Sequence, residues 1–584
     1  MLCAIIVGTM NLDSETYSRN GKTYTRHLLR QSYRDETGKP QKKTIGNLSD
    51  CSPEEIEEIK AALVRARERR KGAAPPPSLR VSREDVKTIS GPRYADLFAL
   101  RETARHIGLL DAFGDSRPAR LALWLVFAAV LGRRSRLSAS RLACRVAVRE
   151  IMGLSYFDEN DLYEALDWLE DNHERIENEL ARRTGANADS LFLYDVTSSY
   201  FEGQQNELGE YGYNRDGKRG KKQIVVGLLC DVDGEPVSVE TFPGNTQDTV
   251  TCLHRIADVK RRFDCERIVL VGDRGMIKTK QKEALAGNGW DFITAITKPQ
   301  IGTLLKRGVI QMSMFDERVV EILDGTVRYV LRRNPVRAAE MAANVDDKLQ
   351  KLRGKTRDAG QRLAQSPRAA AATALNRLRA LAKKLKVSDF VSFQADGRDI
   401  AMEVNEAARA EHAALDGCYV IQTNITSADV LTAQQAHDRY KDLAKVEQDF
   451  RVMKTTFLDN RPIFAHKANR TRAHVFTTML ALKLSRNIER LLAPFEQELI
   501  TILFDGKKQK KQVFTLQDVF EELGGVQLET LVIAGIKFPN IQQPGPVAVR
   551  ILDILHINLT GQTSNAGARN KAAVATTGKR RTGK

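Results

Sequence analysis

The chain has 584 residues, of which 42% are hydrophobic and 28% charged, and it carries a formal net charge of +17. This length exceeds what one hydrophobic core organises, so we expect several domains. The excess of positive charge favours a polyanionic partner, and no uncharged run approaches the roughly 20 residues that a membrane-spanning helix needs, so no membrane partner is expected.

The N-terminal part is predicted to form a small β module followed by a helix. The first residues are apolar but lack the basic segment and cleavage site of a signal peptide, so we expect a cytoplasmic protein. Turn residues at 35–38 separate two β-rich runs, and Pro53 begins a charged helix that reaches about Arg70. We therefore divide this part into a hairpin-and-helix module, 1–72, and a Pro-rich linker, 73–90.

Helical patterns predominate in residues 91–187, which we interpret as a helical DNA-binding region. Residues 119–131 are apolar nearly all round and predict a buried helix. The basic, Ser-rich segment 132–142 that follows suits phosphate contact, although a solvated connection between helices fits it almost equally well.

From residue 188 to 300 the pattern changes to strands. Runs of β-branched and aromatic residues predict five strands and one intervening helix, at 190–201, 223–231, 236–242, 250–263 (the helix), 267–273 and 290–296. The Asp-Gly pair ending at Gly234 predicts a hairpin between the second and third strands. Three antiparallel strands, a helix and two further strands with a helix between them are the element order of an RNase H-like core. The expected fold class is therefore α/β, with a mixed five-stranded sheet and flanking helices.

The remainder of the chain is predicted to interrupt and then complete this core. Residues 301–430 mix strand-like pieces with a basic helical stretch and are interpreted as an insertion domain. Residues 431–495 supply the second part of the core. A C-terminal region, 496–560, and a basic tail, 561–584, follow, and the tail is expected to be disordered and to touch DNA weakly.

Three acidic residues stand out by their position. Asp195 lies inside a predicted strand, Asp273 ends another, and Glu447 projects from a later helix. Each alone fits a cap, a turn or an exposed charge, but together, in this element order, they predict a metal site. The seven cysteines are scattered without a Cys-x-x-Cys pair, so the sequence shows no zinc motif. The three carboxylates are hard oxygen ligands, which favour Mg²⁺ or Mn²⁺ over zinc. Two such ions can activate a nucleophile and stabilise the leaving oxygen of a phosphodiester.

Glu447 has matched neighbours at intervals of seven residues. Tyr440, Glu447 and Lys454 are separated by nearly two helical turns each, so they are expected to share one stripe of a single helix.

Four motifs resemble those of DDE-type insertion-sequence transposases. They are residues 194–203 (Tyr-Asp-Val-Thr-Ser-Ser-Tyr-Phe-Glu-Gly), 242–248 (Phe-Pro-Gly-Asn-Thr-Gln-Asp), 272–276 (Gly-Asp-Arg-Gly-Met) and the helix from 440 to 454. The chain is similar to the bacterial family-four group, whose signature is Tyr-x2-Arg-x3-Glu-x6-Lys. The resemblance covers about 190–300 and 415–490, and extends more loosely to the N-terminal regions.

The resemblance implies roles for particular residues. Asp195, Asp273 and Glu447 would form the catalytic, metal-binding triad, and two further residues, Tyr440 and Lys454, would contact the terminal DNA strand. The signature Arg is replaced by Leu443, so its phosphate contact is either absent or supplied elsewhere, with Lys445 and Arg451 as candidates. Arg274 fits either phosphate contact or a salt bridge.

The resemblance also implies the activity. A transposase of this kind would bind terminal inverted repeats, cleave DNA at them and join the ends to target DNA, acting as a homo-oligomer (a dimer) on DNA, near the bacterial nucleoid. Two alternatives stay open at this point: an RNase H-like nuclease or resolvase that only hydrolyses, and a catalytically silent DNA-binding protein derived from a transposase.

Two further segments each fit two interpretations. The loop 211–222 interleaves two tyrosines with many bases, which suits a DNA strand or equally a flexible loop. Asp248 is interpreted as a helix cap rather than as a catalytic residue.

Overall fold

The protein is described by a computed structural model that covers residues 10–19, 22–34, 39–70, 86–132, 135–184, 189–203, 205–213, 215, 217–218, 220–263, 267–366, 368–454, 458, 465–504, 513–533 and 536–559. The strands are β1 (Met10–Arg19), β2 (Lys22–Arg34), β3 (Pro40–Asn47), β4 (Val86–Ile89), β5 (Asp189–Tyr200), β6 (Gln223–Cys230), β7 (Pro236–Pro243), β8 (Arg267–Gly272), β9 (Asp291–Ala295), β10 (Val320–Asp324), β11 (Val327–Arg333), β12 (Val391–Asp396), β13 (Asp399–Val404), β14 (Cys418–Thr423), β15 (Leu528–Ile533) and β16 (Ile536–Ile541).

The helices are α1 (Pro53–Arg70), α2 (Ala95–His106), α3 (Leu109–Phe113), α4 (Arg117–Val130), α5 (Arg136–Ala143), α6 (Val148–Met152), α7 (Glu159–Asp171), α8 (His173–Thr184), α9 (Asp248–Phe263), α10 (Thr279–Gly287), α11 (Lys298–Lys306), α12 (Pro335–Gln365), α13 (Ala371–Leu385), α14 (Glu406–Ala413), α15 (Ala433–Lys441), α16 (Leu443–Lys454), α17 (Ala468–Leu492), α18 (Glu496–Leu503), α19 (Leu516–Gly524) and α20 (Pro546–Ile554). No helix in this described part of the chain combines the length and apolarity needed to cross a membrane.

The chain divides into two compact units, and the smaller comprises residues 1–92 with 527–543. Its strands β1, β2 and β3 form an antiparallel sheet. Helix α1 has the predicted bounds, and it begins with a reciprocal cap in which Ser52 N donates to Glu55 Oε2 and Glu55 N donates to Ser52 Oγ. Strand β4 lies inside the segment interpreted as a linker and pairs with β15. Local pattern does not reveal such a strand, because its partner lies far downstream.

The larger unit contains the predicted helical region, α2 to α8, packed around the long helix α17. Helix α4 confirms the predicted buried helix. Ser116 caps it by accepting a hydrogen bond from Ala119 N, and a proline occupies its first turn. Trp124 and Phe127 of α4 are completely buried. Since α17 packs on α4 and α7 and also on β7, the helical region and the central sheet share one hydrophobic interior.

The centre of the larger unit is an eight-stranded mixed sheet in the order β10-β11-β14-β9-β8-β5-β6-β7. Strands β5, β8 and β9 run parallel to one another, and the other neighbours are antiparallel. The hairpin between β6 and β7 turns at Gly234, whose φ of +83° is costly for residues other than glycine. The predicted strands of residues 188–300 are all present, and β5 and β8 lie in the middle of the sheet.

Residues 301–430 do not form one separate insertion. Strands β10, β11 and β14 continue the sheet beyond β9, and only the part from α12 to α14 projects from it. This projecting part, which we call the arm (residues 335–413), has its own core, which includes Leu352, Leu378 and Phe393. It leaves and re-enters the sheet at one point, because Asn334 N donates to Gly417 O at 2.9 Å.

The helix expected from Tyr440 to Lys454 is two helices, α15 and α16, so this prediction is wrong in detail. They meet at Asp442, where Lys445 N donates to Asp442 O, a tight bond across three residues. Asp442 keeps nearly helical angles, with φ −61° and ψ −17°, so the periodicity is preserved across the break. The basic tail, 561–584, lies outside the described residues.

Candidate active site

Asp195 and Asp273 occupy matching positions on neighbouring parallel strands. In the register of β5 and β8, Tyr194 pairs with Gly272, and each aspartate is the next residue of its strand or of the turn that follows it. Neighbouring strands lie about 4.8 Å apart, so the two carboxylates come from adjacent points at the same level of the sheet. Strand pairing therefore brings together two residues that are 78 positions apart in the sequence.

Glu447 reaches the same place from α16, which packs across β5. Asp195, Asp273 and Glu447 all line one cavity of about 280 Å³, together with Thr197 and Arg215. Its other lining residues are Val196, Asp248, Gly275, Met276 and Phe450.

The electrostatics of Asp195 show that the three carboxylates influence one another. Burial raises the pKa of Asp195 to about 7, and the negative charges of Asp273 and Glu447 contribute to this rise. The Val196 N–H and the Arg215 guanidinium act in the opposite direction and lower the pKa of Asp195. The rise in the pKa of Asp195 is therefore due first to burial, and the two neighbouring acids add to it.

The donor set suits a hard divalent cation. The cavity lining offers carboxylate oxygens and no His or Cys among the described residues, which matches the ligand preference of Mg²⁺ or Mn²⁺ rather than zinc. Across the described part of the chain, no group of three or more His, Cys, Asp and Glu side chains is already closed into a metal-binding arrangement. The three carboxylates thus share a cavity without a preformed cage.

Tyr440 and Lys454 each form a hydrogen bond with a residue that lines the cavity. The Tyr440 hydroxyl donates to Asp273 Oδ1 at 3.3 Å, and burial together with the Asp273 charge raises the pKa of this tyrosine. Lys454 Nζ donates to Thr197 Oγ1 at 2.6 Å, and Thr197 lies two residues after Asp195 on the same face of β5. The stripe expected from sequence therefore faces the cavity although its helix is broken.

The position of the missing signature Arg is filled by a buried side chain, Leu443. Of the two suggested substitutes, Lys445 lies on the far side of α16, where its Nζ donates to Val232 O at 3.1 Å and pairs with Asp442 at 3.0 Å. Arg451 is exposed and lies one helical turn after Glu447, on the face that carries it. Arg451 is therefore the better placed of the two.

Arg274 lies beside the cavity rather than in it. It is exposed, its backbone N–H donates to Asp273 Oδ1 at 2.7 Å, and its positive charge lowers the pKa of Tyr440. Its side chain lines a neighbouring groove of about 780 Å³, which Tyr440 also lines. Arg274 therefore links the catalytic cavity to that groove.

Arg215 and Asp248 belong to the cavity and were not predicted as site residues. Arg215 makes a two-point contact with Asp248, at 2.7 and 2.6 Å, and its backbone N–H donates to Ser198 Oγ at 2.9 Å. Asp248, interpreted from sequence as a helix cap, is the first residue of α9. The basic composition of loop 211–222 pointed to a binding role for residues such as Arg215. The sequence could not predict its contact with Asp248, because no local pattern links two residues 33 positions apart.

The reverse face of α16 is anchored by a buried acid. Asp449 is fully buried, lies 2.8 Å from Arg486 Nε of α17 and accepts a hydrogen bond from the Cys230 thiol at 3.7 Å. Burial raises the pKa of Asp449 to about 7, against the lowering effect of Arg486. These contacts hold α16 against β6 and α17, and thereby set the side of the helix that presents Glu447.

Two family profiles match the sequence. The profile of the Transposase DDE domain family matches residues 186–484, just over half of the chain, and spans the sheet and all three carboxylates. The chain belongs to the DDE transposase family. The profile of the IS1634 family transposase N-terminal domain matches residues 14–78. Both confirm the resemblance to insertion-sequence transposases. This DDE transposase is accordingly an enzyme of DNA cleavage and strand transfer, of a family that generally uses divalent metal ions.

Solved transposase structures are only distantly similar. A piggyBac transposase synaptic complex with hairpin DNA aligns at 9% identity and a TM-score of 0.33, over 74% of this chain and 76% of that one. A Mos1 transposase paired-end complex with the left transposon end aligns at 14% identity and a TM-score of 0.13, over 40% and 66%. No curated protein matches this chain significantly.

Proposed function

We propose that this transposase binds the terminal inverted repeats of an insertion sequence and performs cut-and-paste transposition with Asp195, Asp273 and Glu447 as its catalytic triad. The observation that carries the proposal is the shared cavity, into which two adjacent parallel strands and one helix each bring a carboxylate. In such a cavity the triad would hold two Mg²⁺ ions, or Mn²⁺ in their place.

An RNase H-like core is the fold that we assign to this centre. Within the sheet, the order β7-β6-β5-β8-β9 has three antiparallel strands followed by two that run parallel to β5. This arrangement supports the assignment, with β10, β11 and β14 as an extension at one edge.

The chemistry follows from the charges in the cavity. Bound divalent ions supply activation of a water or 3′-hydroxyl and stabilisation of the leaving oxygen. The three carboxylates hold the negative potential that attracts these ions, and Arg215 limits it. In strand transfer the attacking 3′-hydroxyl loses its proton to solvent as its oxygen forms a bond to phosphorus, the bond to the opposite oxygen breaks, and the released 3′-oxygen takes up a proton from solvent. No covalent protein–DNA intermediate is required.

Four side chains are assigned to the DNA strand. Lys454 bonds to Thr197 and Tyr440 bonds to Asp273, both of which line the cavity, and the two side chains would contact the phosphates that flank the scissile bond. Arg451 would supply the phosphate contact that Leu443 cannot make, because it shares the Glu447 face of α16. Arg274 would guide the strand as it leaves the cavity.

The assembly that we propose is a homodimer on DNA. Two element ends must be held together for joining, so each subunit would act on one end, with target DNA captured afterwards. The N-terminal region that matches the IS1634 family profile would take part in end recognition. The enzyme would work in the bacterial cytoplasm, in association with the nucleoid.

A cleavage assay tests the proposal. Purified protein is incubated with a labelled duplex carrying the repeat that flanks its gene, with and without Mg²⁺. We expect metal-dependent nicking at the repeat boundary, abolished by Asp273→Asn. As a matched control, Asp233→Asn changes an exposed acid in the β6–β7 hairpin and should cleave normally.

Two results would reject it. Unchanged cleavage by Asp273→Asn would exclude the triad, and nicking without any joined product would favour an enzyme that only hydrolyses.

A further inference from the structure

The arm contains a segment in which every charged residue is basic. The 30 residues from 359 to 388 include seven Lys and Arg and no Asp or Glu. This segment covers the end of α12 and the whole of α13. Its cations are all exposed. They are Arg362, Arg368, Arg377, Arg379, Lys383, Lys384 and Lys386.

Helix α12 carries five of its seven cations on one flank. These five, which we call the α12 track, are separated by 11, 3, 4 and 7 residues, all of which are same-side spacings on an α-helix. The α12 track consists of Arg337, Lys348, Lys351, Lys355 and Arg362.

The arm's own core fixes the direction in which this track faces. Leu349, Leu352, Thr356 and Leu363 form the buried side of α12. The last four track residues each precede one of these positions, so the track runs along one border of the buried side. Leu352 packs in the core of the arm, and the helix is therefore not free to rotate about its axis.

The opposite border of α12 differs. Arg353 and Arg357 follow buried positions instead of preceding them, and Asp346 lies on their side, where it pairs with Arg409 of α14 at 2.6 Å. The acids nearest to the track are Asp347, exposed and one helical turn before Lys351, and Glu340 and Asp358, which are paired with Arg337 and Lys355 at 2.7 and 3.1 Å. Both of these pairs are exposed, and such pairs contribute little stability, so a phosphate can replace either acid.

The track begins at the groove beside the catalytic cavity. Arg337 lines the groove of about 780 Å³ that Arg274 and Tyr440 also line, and Lys298 adds a third cation to it. Tyr440 is hydrogen-bonded to Asp273 at the catalytic cavity. From Arg337 to Arg362 the helix advances about 37 Å, which equals the axial length of about 11 base pairs of duplex DNA.

We propose that the α12 track binds the sugar–phosphate backbone of duplex DNA that enters or leaves the catalytic cavity through this groove. The arm would then hold about one helical turn of DNA, independent of its sequence, because Lys and Arg on one helix flank meet phosphates and not base edges. The direction of the duplex rests on the proposed function, since it needs the cavity to be the place of DNA cleavage.

Salt-dependent binding of the full-length protein to a blunt duplex of random sequence tests this, in EDTA so that no cleavage occurs. Each lost phosphate contact lowers the slope of log affinity against log salt by about 0.9. For Lys351→Gln/Lys355→Gln we expect a slope smaller by about two and a dissociation constant roughly tenfold higher at moderate salt. Lys351→Arg/Lys355→Arg, which keeps both charges, should bind like the wild type.

The matched control is Arg353→Gln/Arg357→Gln, which removes the same charge from the other flank of the same helix. This control should keep the wild-type slope. If Lys351→Gln/Lys355→Gln keeps it too, or if both pairs lose it equally, the track is wrong. Because all four side chains are exposed or nearly so, circular dichroism melting should be unchanged, and Arg362→Gln repeats the test at a third position.

The assay separates this inference from the proposed function. If the protein does not nick DNA with Mg²⁺, but the salt slope falls for the track variant and not for the control variant, the proposed DNA contact of the track stands and the proposed transposition activity is rejected. If the protein nicks DNA normally, but the track variant and the control variant have the same salt slope, the proposed function stands and the track is rejected.

Discussion

The carboxylate of Asp195 lies where its charged form is disfavoured by burial and by two neighbouring acids. An acid whose pKa is raised on folding, here from 3.8 to about 7, makes the folded state less stable as the pH rises through that interval. Below about pH 4 the group is protonated in both states and contributes no difference. The metal-free enzyme is therefore expected to lose stability between about pH 4 and pH 7 on account of this residue.

Asp195→Asn should remove that loss. In EDTA, we expect the variant to have a higher Tm than the wild type at pH 8, by about 2 °C, and a smaller difference between pH 5 and pH 8. Mg²⁺ should raise the Tm of the wild type more than that of the variant, because the ion binds the folded state. Scanning calorimetry measures both effects, and Asp233→Asn serves as the control. A variant less stable than the wild type at pH 8 would contradict the assigned environment.

Arg451 is expected to be the functional substitute for the signature Arg. Arg451→Ala should reduce the rate of end cleavage about tenfold or more, since a charge-assisted phosphate contact near the scissile bond is lost. Gln448→Ala, an exposed change on the same helix, should cleave at nearly the wild-type rate. Single-turnover cleavage rates distinguish the two, and equal losses would argue against the assignment.

At the scale of elements, α16 is the part that decides whether the triad assembles. Its front face carries Glu447 to the cavity, and its reverse face is held by Asp449 through Arg486 and Cys230. The β6–β7 hairpin adds a second anchor, since Lys445 Nζ donates to Val232 O and a side chain at Gly234 would meet Lys445 at 2.8 Å.

Removal of the buried acid should loosen this helix. Asp449→Ala leaves Arg486 without its buried carboxylate, and we expect a loss of about 3 kcal/mol in the free energy of unfolding. The double variant Asp449→Leu/Arg486→Leu should recover part of this, because no unpaired charge remains. Urea denaturation measures the differences, with Gln448→Ala, an exposed neighbour, as the control. An Asp449→Ala variant as stable as the control would show that the ion pair does not anchor α16.

At the scale of the whole molecule, the arm is inserted between two adjacent strands of one continuous sheet. β11 and β14 are adjacent antiparallel strands, with Arg333 paired to Cys418, so the chain leaves and returns at one place. The arm also has a separate hydrophobic core.

We therefore expect residues 335–416 to be replaceable by a short Gly-rich turn. The shortened protein should fold, with a Tm within a few degrees of the intact enzyme, because the sheet keeps its strand pairs. Its DNA binding should be weaker and less dependent on salt. Circular dichroism and binding isotherms test this, and a shortened protein that aggregates or lacks a cooperative melt would show that the arm supports the core.

Much of the core was accessible from local pattern. Hydrophobic runs bounded by turn residues located β5 to β9, and the Asp-Gly turn at Gly234 located the β6–β7 hairpin. The motifs around Asp195, Asp273 and Glu447 identified the family, which the profile match confirms. These features are local, because strand alternation, turn chemistry and short motifs are each encoded within a few residues.

The rest depended on contacts between distant segments. Whether β10, β11 and β14 belong to an insertion or to the sheet is decided by pairing with β9, and the pairing of β4 with β15 joins opposite ends of the chain. Likewise, Arg215 enters the cavity only because β5 and α9 bring Ser198 and Asp248 to it.

The sequence by itself determined the family, the central strands and the three carboxylates, since each is written in a short run of residues. Only the tertiary structure decided that Asp195 and Asp273 stand at one level of the sheet, that Lys445 bonds to the β6–β7 hairpin, and that the buried side of α12 leaves five cations along one flank, with Arg337 lining the groove beside the catalytic cavity. Those outcomes depend on strand register and on which side of a helix is buried, and both are set by packing partners far away in the chain.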